Sequence, residues 1–217
     1  VCYVGSMDSK KEVSEKLLQI NASKLSVDSP FPWASGCRRP IYCDNRKILS
    51  YPYVRDFIKS EMCNVVFQSF PQAEILAGVA SAGVPWGAMV ADQLKLPFIY
   101  VRPKPKEHGL GNQIEGFYEQ GKRVVLIEDL LSTGKSSLLV ANVLLKAGLK
   151  VEGLVSIFTY GFQEAVNSFA NANIKCISLT DYDALISLAM DKNMVSQNDQ
   201  NTLLNWRADT ANWNVKS

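Results

Sequence analysis

A single histidine, His108, and no Cys-x-x-Cys pair occur in the 217 residues. Zinc sites draw clustered Cys and His ligands, so that scarcity argues against one. The five cysteines, Cys2, Cys37, Cys43, Cys63 and Cys176, are odd in number and read as reduced thiols. Net charge is only +2, without a basic stripe, which removes the electrostatic footprint of a nucleic-acid binder. No apolar run approaches the ~20 residues of a membrane span, and no secretory core stands near the start. The expectation is a soluble, cytoplasmic protein with no nucleic-acid or membrane partner. Any anion site must be local.

What remains is ordinary for a globular chain: 47% hydrophobic and 20% charged residues. At this length one domain spanning 1–217 is expected, burying roughly 70% of the unfolded surface. Residues 1–6, before Met7, read as a leader or an extended start and stay outside the fold argument.

Ser9 with Glu12 gives a capping-box signal, and Val13, Leu17, Ile20 and Leu25 follow at helical intervals. Loop chemistry at 30–36 precedes a short strand at 41–43, and a helix runs from Tyr53 to Pro71. Strands are then expected at 74–79, 98–101, 123–127, 151–159 and 174–179. Helices lie between them at about 85–94, 133–146 and 163–170, with a terminal helix at 198–213. Such alternation implies an α/β fold with a mainly parallel central sheet and helices on both faces.

Two stretches carry chemistry. VVLIEDLLSTGKSS, 124–137, is an apolar strand, two adjacent carboxylates and a small-residue turn into a helix. Glu128 and Asp129 at the carboxyl end of a strand stand where open α/β sheets bind ligands. The turn after them offers helix-start amides and hydroxyls to an anion. A phosphate and a sugar diol can be gripped by one such loop. A nucleotide-triphosphate P-loop shares the ending Gly134, Lys135, Ser136, yet Asp129 stands where that motif needs its first glycine. A plain strand with a helix cap behind it is the other alternative, and the paired acids argue against it.

The second stretch, 102–111, puts Arg102, Lys104, Lys106 and His108 at alternate positions, with Pro103 and Pro105 favouring extended backbone. Gly109 and Gly111 follow. The connection is longer than the ~4–6 residues usual between elements, which suits a mobile lid over a polyanion better than an idle solvated loop.

Together these stretches resemble the type I phosphoribosyltransferases, and within them the orotate branch. EDLLSTGKSS resembles the family's loop for phosphoribosyl pyrophosphate (PRPP), and VRPKPKEHGLGNQIEG its mobile catalytic loop, 102–116. WASGCRRPIYCDNR, 33–46, resembles its substrate-side segment within a hood at 30–50, and AGVASAGVP, 77–85, takes the place of its pyrophosphate loop. The resemblance covers about residues 9–180. It implies a small N-terminal hood and transfer of a phosphoribosyl group to orotate.

On the donor side it implies PRPP contacts from Arg102, Lys104, Lys106, His108, Glu128, Asp129, Leu130, Leu131, Ser132, Thr133, Gly134, Lys135 and Ser136. Lys106, His108 and Asp129 would be catalytic. It also implies Mg²⁺ held mainly through PRPP, and a homodimer whose lid reaches the neighbouring subunit's site. On the base side the relatives' lysine and arginine assist orotate recognition; with Ala34 and Tyr160 in those places, the expectation here is instead Ser132, the backbone amides near Ser35 and Gly36, stacking on Tyr42, and Arg46 as carboxylate partner. This chain departs from the pattern at Ala34, where some relatives have lysine, at Tyr160, where they have arginine, and at Pro103, where many have lysine. A purine phosphoribosyltransferase shares the donor loop, but the lid and IYCDNR favour orotate. A nucleic-acid-binding regulator would need an added module, for which no helix-turn-helix pattern is present.

Overall fold

The structure, a computed structural model, describes residues 3–4, 7–32, 38–104 and 113–210. The elements in chain order are β1 (Tyr3–Val4), α1 (Met7–Gln19), β2 (Ser23–Leu25), β3 (Phe31–Pro32), β4 (Arg38–Arg39), β5 (Ile41–Cys43), a 3₁₀ segment (Asn45–Ser50) and α2 (Pro52–Ser69). There follow β6 (Ile75–Val79), α3 (Gly83–Leu94), β7 (Phe98–Val101), β8 (Ile114–Glu115), β9 (Arg123–Leu131) and α4 (Lys135–Lys146). β10 (Lys150–Thr159), α5 (Gln163–Asn171), β11 (Lys175–Asp181), α6 (Tyr182–Asp191) and α7 (Gln197–Ala208) complete the set.

One seven-stranded sheet has the order β1-β11-β10-β9-β6-β7-β8. All pairings are parallel except β7 with β8. Strand alternation sorts the core. In β9, Val125 and Ile127 join one apolar cluster, with Leu17 of α1, Met62 of α2, Trp86 of α3 and Trp206 of α7. Val124 and Leu126 join the other, with Leu144 of α4 and Phe169 of α5. Helices therefore cover both faces, and each such fully buried side chain contributes about 1.5–3 kcal/mol.

From β6 the chain crosses to β7 on one side, whereas β9 leads to β10 and β11 on the other. The reversal lies between β6 and β9, where open α/β sheets leave a crevice at the carboxyl ends of the strands. Separate from that sheet is a hood of two small antiparallel ladders, β2 with β5 and β3 with β4. The fold class is as expected.

Several boundaries differ from expectation. Ser9 does not cap the first helix, which already starts at Met7; its hydroxyl donates to Glu61 of α2. Leu25, spaced like a helical residue, belongs to β2 because its strand pairs with β5 through Leu25 and Ile41. Tyr3 and Val4, set aside with the leader, add a parallel edge strand to β11. Helix α6 is additional to the expected set, and its cap shows why it forms: Asp181 accepts from the Ala184 amide at 2.9 Å. β8 is additional too, being only two residues long.

Candidate active site

The ligand edge is set by where strands stop. β9 runs to Leu131, past the expected Ile127, so Glu128 and Asp129 lie inside the strand. Its ladder with β6 ends at Gly78 and Ile127, while that with β10 continues to Leu131 and Thr159. The acids thus begin where β9 loses its β6 neighbour. There α3 begins, and a Cβ at Gly83 would collide with the Ile127 carbonyl oxygen and lie 3.3 Å from Glu128 Cα. Only glycine lets the helix start so close, and no side chain caps it.

Glu128 and Asp129 are 7% and 9% exposed. Glu128 accepts from the Asp129 amide at 3.0 Å and from Ser137 Oγ of α4 at 3.3 Å. Burial, then the neighbouring Asp129 charge, holds the Glu128 carboxyl well above its ordinary range. Burial also raises Asp129, opposed by its hydrogen bonds with Glu128 and the Leu130 amide, and by the Arg46 charge. Two adjoining buried carboxylates of this kind are a ready acceptor pair for hydroxyl donors.

Gly134, at φ +77°, turns the chain into α4. A Cβ there would stand 2.5 Å from Phe169 Cε2. No side chain caps α4, whose first helical bond is Leu138 N to the Gly134 carbonyl at 2.9 Å. The amides of Lys135 to Ser137 precede that bond and have no helical acceptor, which makes them anion donors. Ser132 and Thr133 are half-buried and Ser136 is exposed beside them. The loop's start is anchored to the end of β10: the Leu131 carbonyl accepts from Tyr160 N at 3.1 Å and Thr159 Oγ1 at 3.2 Å.

Some expected donor residues look elsewhere. The Leu131 side chain is buried in one apolar cluster and Leu130 packs against the other, while both residues pair with β10 and the Leu131 carbonyl is already taken by it. Lys135 forms an ion pair with Glu164 of α5 at 3.0 Å, both side chains more than half exposed. Exposed pairs of this kind are weak and leave the lysine available.

The segment after β5 reaches the strand that carries the acids. The Cys43 thiol lies 3.3 Å from Ser23 Oγ and close to Tyr160, and burial chiefly pushes its pKa up to about 11. Asn45, 1% exposed, donates to the Asp129 carbonyl at 2.8 Å. Tyr42 is partly exposed, with its ring 5.9 Å from Phe31. Arg46 pairs with Asp44 at 2.8 Å, and its charge reaches Asp129. Tyr160 is fully buried, stacked on Phe162 with ring centroids 5.2 Å apart and edge-on to Trp206 at 5.8 Å.

Known proteins bear on this arrangement directly. The phosphoribosyl transferase domain family matches residues 62–191. The orotate phosphoribosyltransferase of Phocaeicola vulgatus is 47% identical over 204 residues, 94% of this chain and 96% of that protein. That of Listeria monocytogenes is 46% identical over 207 residues, 95% and 99% of the two chains. The chain belongs to the orotate phosphoribosyltransferase family. The solved orotate phosphoribosyltransferase of Aeropyrum pernix superposes with a TM-score of 0.73 at 27% identity, over 85% of this chain and 99% of that one. Leishmania donovani UMP synthase, at 23% identity, shares the fold with a TM-score of 0.76, over 91% of this chain and 42% of that one.

Of the residues this family resemblance singled out, the structure gathers Glu128, Asp129, Ser132, Thr133, Gly134, Lys135 and Ser136 in one strand-loop-helix unit, with Tyr42 and Arg46 on the hood. Arg102 faces Glu115 at 3.8 Å, and Gln113 donates to the Arg102 carbonyl at 2.8 Å. Lys104 is exposed. Ser35, Gly36, Lys106 and His108 lie outside the described residues. Asn45, Ser137, Thr159 and Gly83 were not singled out as site residues. Asn45 and Gly83 stood inside quoted segments, but their roles depend on contacts with β9 that spacing does not encode. Among the described residues no group of three or more His, Cys, Asp or Glu could hold a metal, and no helix is long and apolar enough to cross a membrane.

Proposed function

We propose that this protein transfers the 5-phosphoribosyl group from PRPP to N1 of orotate, giving orotidine 5′-monophosphate and pyrophosphate in pyrimidine biosynthesis. Near-full-length identity of 47% to orotate phosphoribosyltransferases supports the reaction. The observation that carries the site is the buried Glu128 and Asp129 pair beside the uncapped start of α4.

In this reading the 5′-phosphate sits on the amides and hydroxyls of Ser132 to Ser136, and the two acids accept from the ribose diol. As the bond to pyrophosphate breaks, positive charge develops on the ribose ring, and Asp129 stabilises it from a water-poor position. Arg102, Lys104, Lys106 and His108 meet the pyrophosphate. Lys106 neutralises it and His108 gives it a hydrogen bond or proton, from the lid of a partner subunit in a homodimer. Lid closure excludes water and suppresses hydrolysis. Orotate lies under the hood, held by Ser132 and by Ser35 and Gly36 amides, stacked on Tyr42, with Arg46 at the rim.

Mg²⁺ fits this donor set. A hard cation that keeps several waters and binds through phosphate oxygens needs one or two nearby carboxylates and no protein cage, which is what Glu128 and Asp129 offer. When bound it would supply charge neutralisation for the departing pyrophosphate. The chain acts as a single domain in the cytoplasm.

The test is a base panel of orotate, uracil, adenine, hypoxanthine and xanthine with PRPP and Mg²⁺, followed by absorbance. Turnover of orotate alone is expected. Turnover of a purine with orotate inert would overturn the assignment. In the same assay Lys106→Ala should lower turnover at least about 100-fold with the fold intact, and an unchanged rate would remove the lid from the mechanism.

A further inference from the structure

Asp129 is held from both sides. Its amide, part of the peptide from Glu128, donates to Glu128 Oε1 at 3.0 Å. Its carbonyl, part of the peptide to Leu130, accepts from Asn45 Nδ2 at 2.8 Å. The direction of a Cα–Cβ bond follows from the two peptide planes that flank the Cα, so this pair of bonds fixes where the Asp129 side chain leaves the strand. Asn45 opens the 3₁₀ segment that follows β5, and two residues before it Cys43 meets Tyr160 at the end of β10. The stretch 43–45 therefore lies across the ends of both strands, with Asn45 bonded to the one that carries the acids.

The amide orientation is fixed by chemistry. A carbonyl only accepts, so the NH₂ must face Asp129, and Oδ1 is left as an acceptor. That oxygen is buried and has no donor among the described residues. A buried acceptor left unmatched costs about 1–3 kcal/mol, so stability alone is a poor reason to keep asparagine here. The charged and titratable groups around it are Glu128, Asp129, Asp44, Arg46, Cys43 and Tyr160.

Building on the phosphoribosyl-transfer reading above, we propose that Asn45 is a positioning residue of the reaction, holding the acid pair in register with the hood that carries the base. It acts through Asp129. A misplacement of ~1 Å at such a group costs about 100-fold in rate, which sets the scale of the effect.

Asn45→Asp and Asn45→Ala test it in the full-length enzyme with PRPP, orotate and Mg²⁺. In Asn45→Asp the ionised carboxylate cannot donate to the Asp129 carbonyl, whereas the protonated acid can. At about pH 8.5 both variants should show kcat about 10- to 100-fold below wild type, with the orotate KM within about threefold and PRPP still bound by every chain in calorimetry. Burial beside Glu128 and Asp129 lifts the introduced carboxyl well above the ordinary aspartate range, so lowering the pH to about 6 should raise the Asn45→Asp to wild-type rate ratio at least about fivefold and leave the Asn45→Ala ratio flat. A purely structural residue would not give that contrast. Should Asn45→Ala fail to fold, the isosteric Asn45→Asp variant alone decides. Full kcat in either variant at alkaline pH, a loss equal to the fraction of chains that do not bind PRPP, or a flat Asn45→Asp ratio would overturn the proposal. Wild type without orotate turnover would overturn the underlying reading, and this one with it.

Discussion

The two ends of the site are built differently. In the reading proposed above, the donor end, from Glu128 to Ser137, is one continuous run of strand, loop and helix, polar at its tip and dry at its base. In the proposed reading the base end is pieced together from β5, the 3₁₀ segment and the end of β10, where Tyr160 lies among Phe158, Phe162, Tyr182 and Trp206. A contiguous unit can fix charge and geometry by local hydrogen bonds such as Ser137 to Glu128. An assembled one depends on packing, which tolerates exchange of a polar side chain for a buried ring. Donor chemistry should accordingly be sensitive to single atoms, and base recognition to shape.

The largest expected effect breaks the donor end alone. Asp129→Asn should lower kcat/KM for PRPP about 100- to 1000-fold and leave the orotate KM within about threefold, in steady-state assays. Equal losses for both substrates would show that the two ends are one unit.

Gly134→Ala comes next. Its positive φ and the contact with Phe169 oppose any Cβ. A cost of about 2 kcal/mol should lower the melting temperature by about 4–8 °C and raise the PRPP KM with little change for orotate. An unchanged melting temperature would mean that the α4 entrance is looser than its packing indicates.

A pH experiment sharpens the contrast further. Burial and the Asp129 charge raise the Glu128 carboxyl above its ordinary range, so between the unfolded and folded values the native state holds more protons. Stability of the ligand-free protein must then fall as pH rises through that window, while kcat/KM for PRPP rises as the pair ionises. Glu128→Gln should flatten its share of the stability slope, measured by denaturant unfolding at a series of pH values. A slope identical to wild type would show that the pair carries no extra proton.

Tyr160→Phe is the smallest. It removes the hydroxyl that meets Cys43 and keeps the ring, so the orotate KM should shift by less than about threefold with PRPP unaffected. A large orotate effect would make that hydroxyl part of base recognition.

These same differences decide what the chain revealed before folding. The α/β alternation was legible because buried strands and amphipathic helices have distinct periods, and the donor end because its residues are neighbours in sequence. β9 ran past the expected end because its ladder with β10 continues after the β6 ladder stops, a fact of sheet order. Ser9 looked like a helix cap because serine and a glutamate three residues on make that pattern, whereas its hydroxyl serves Glu61 across a helix interface. Asn45 stood inside the quoted IYCDNR segment, but nothing in that segment pointed to a contact with β9. Its meaning comes from a carbonyl 84 residues away in the chain.

The most direct test is a crystal structure with PRPP bound. The ribose hydroxyls should lie within hydrogen-bond distance of Glu128 and Asp129, with the 5′-phosphate on the amides of Ser132 to Ser136. A ribose bound elsewhere, with both carboxylates left in their ligand-free contacts, would contradict the account.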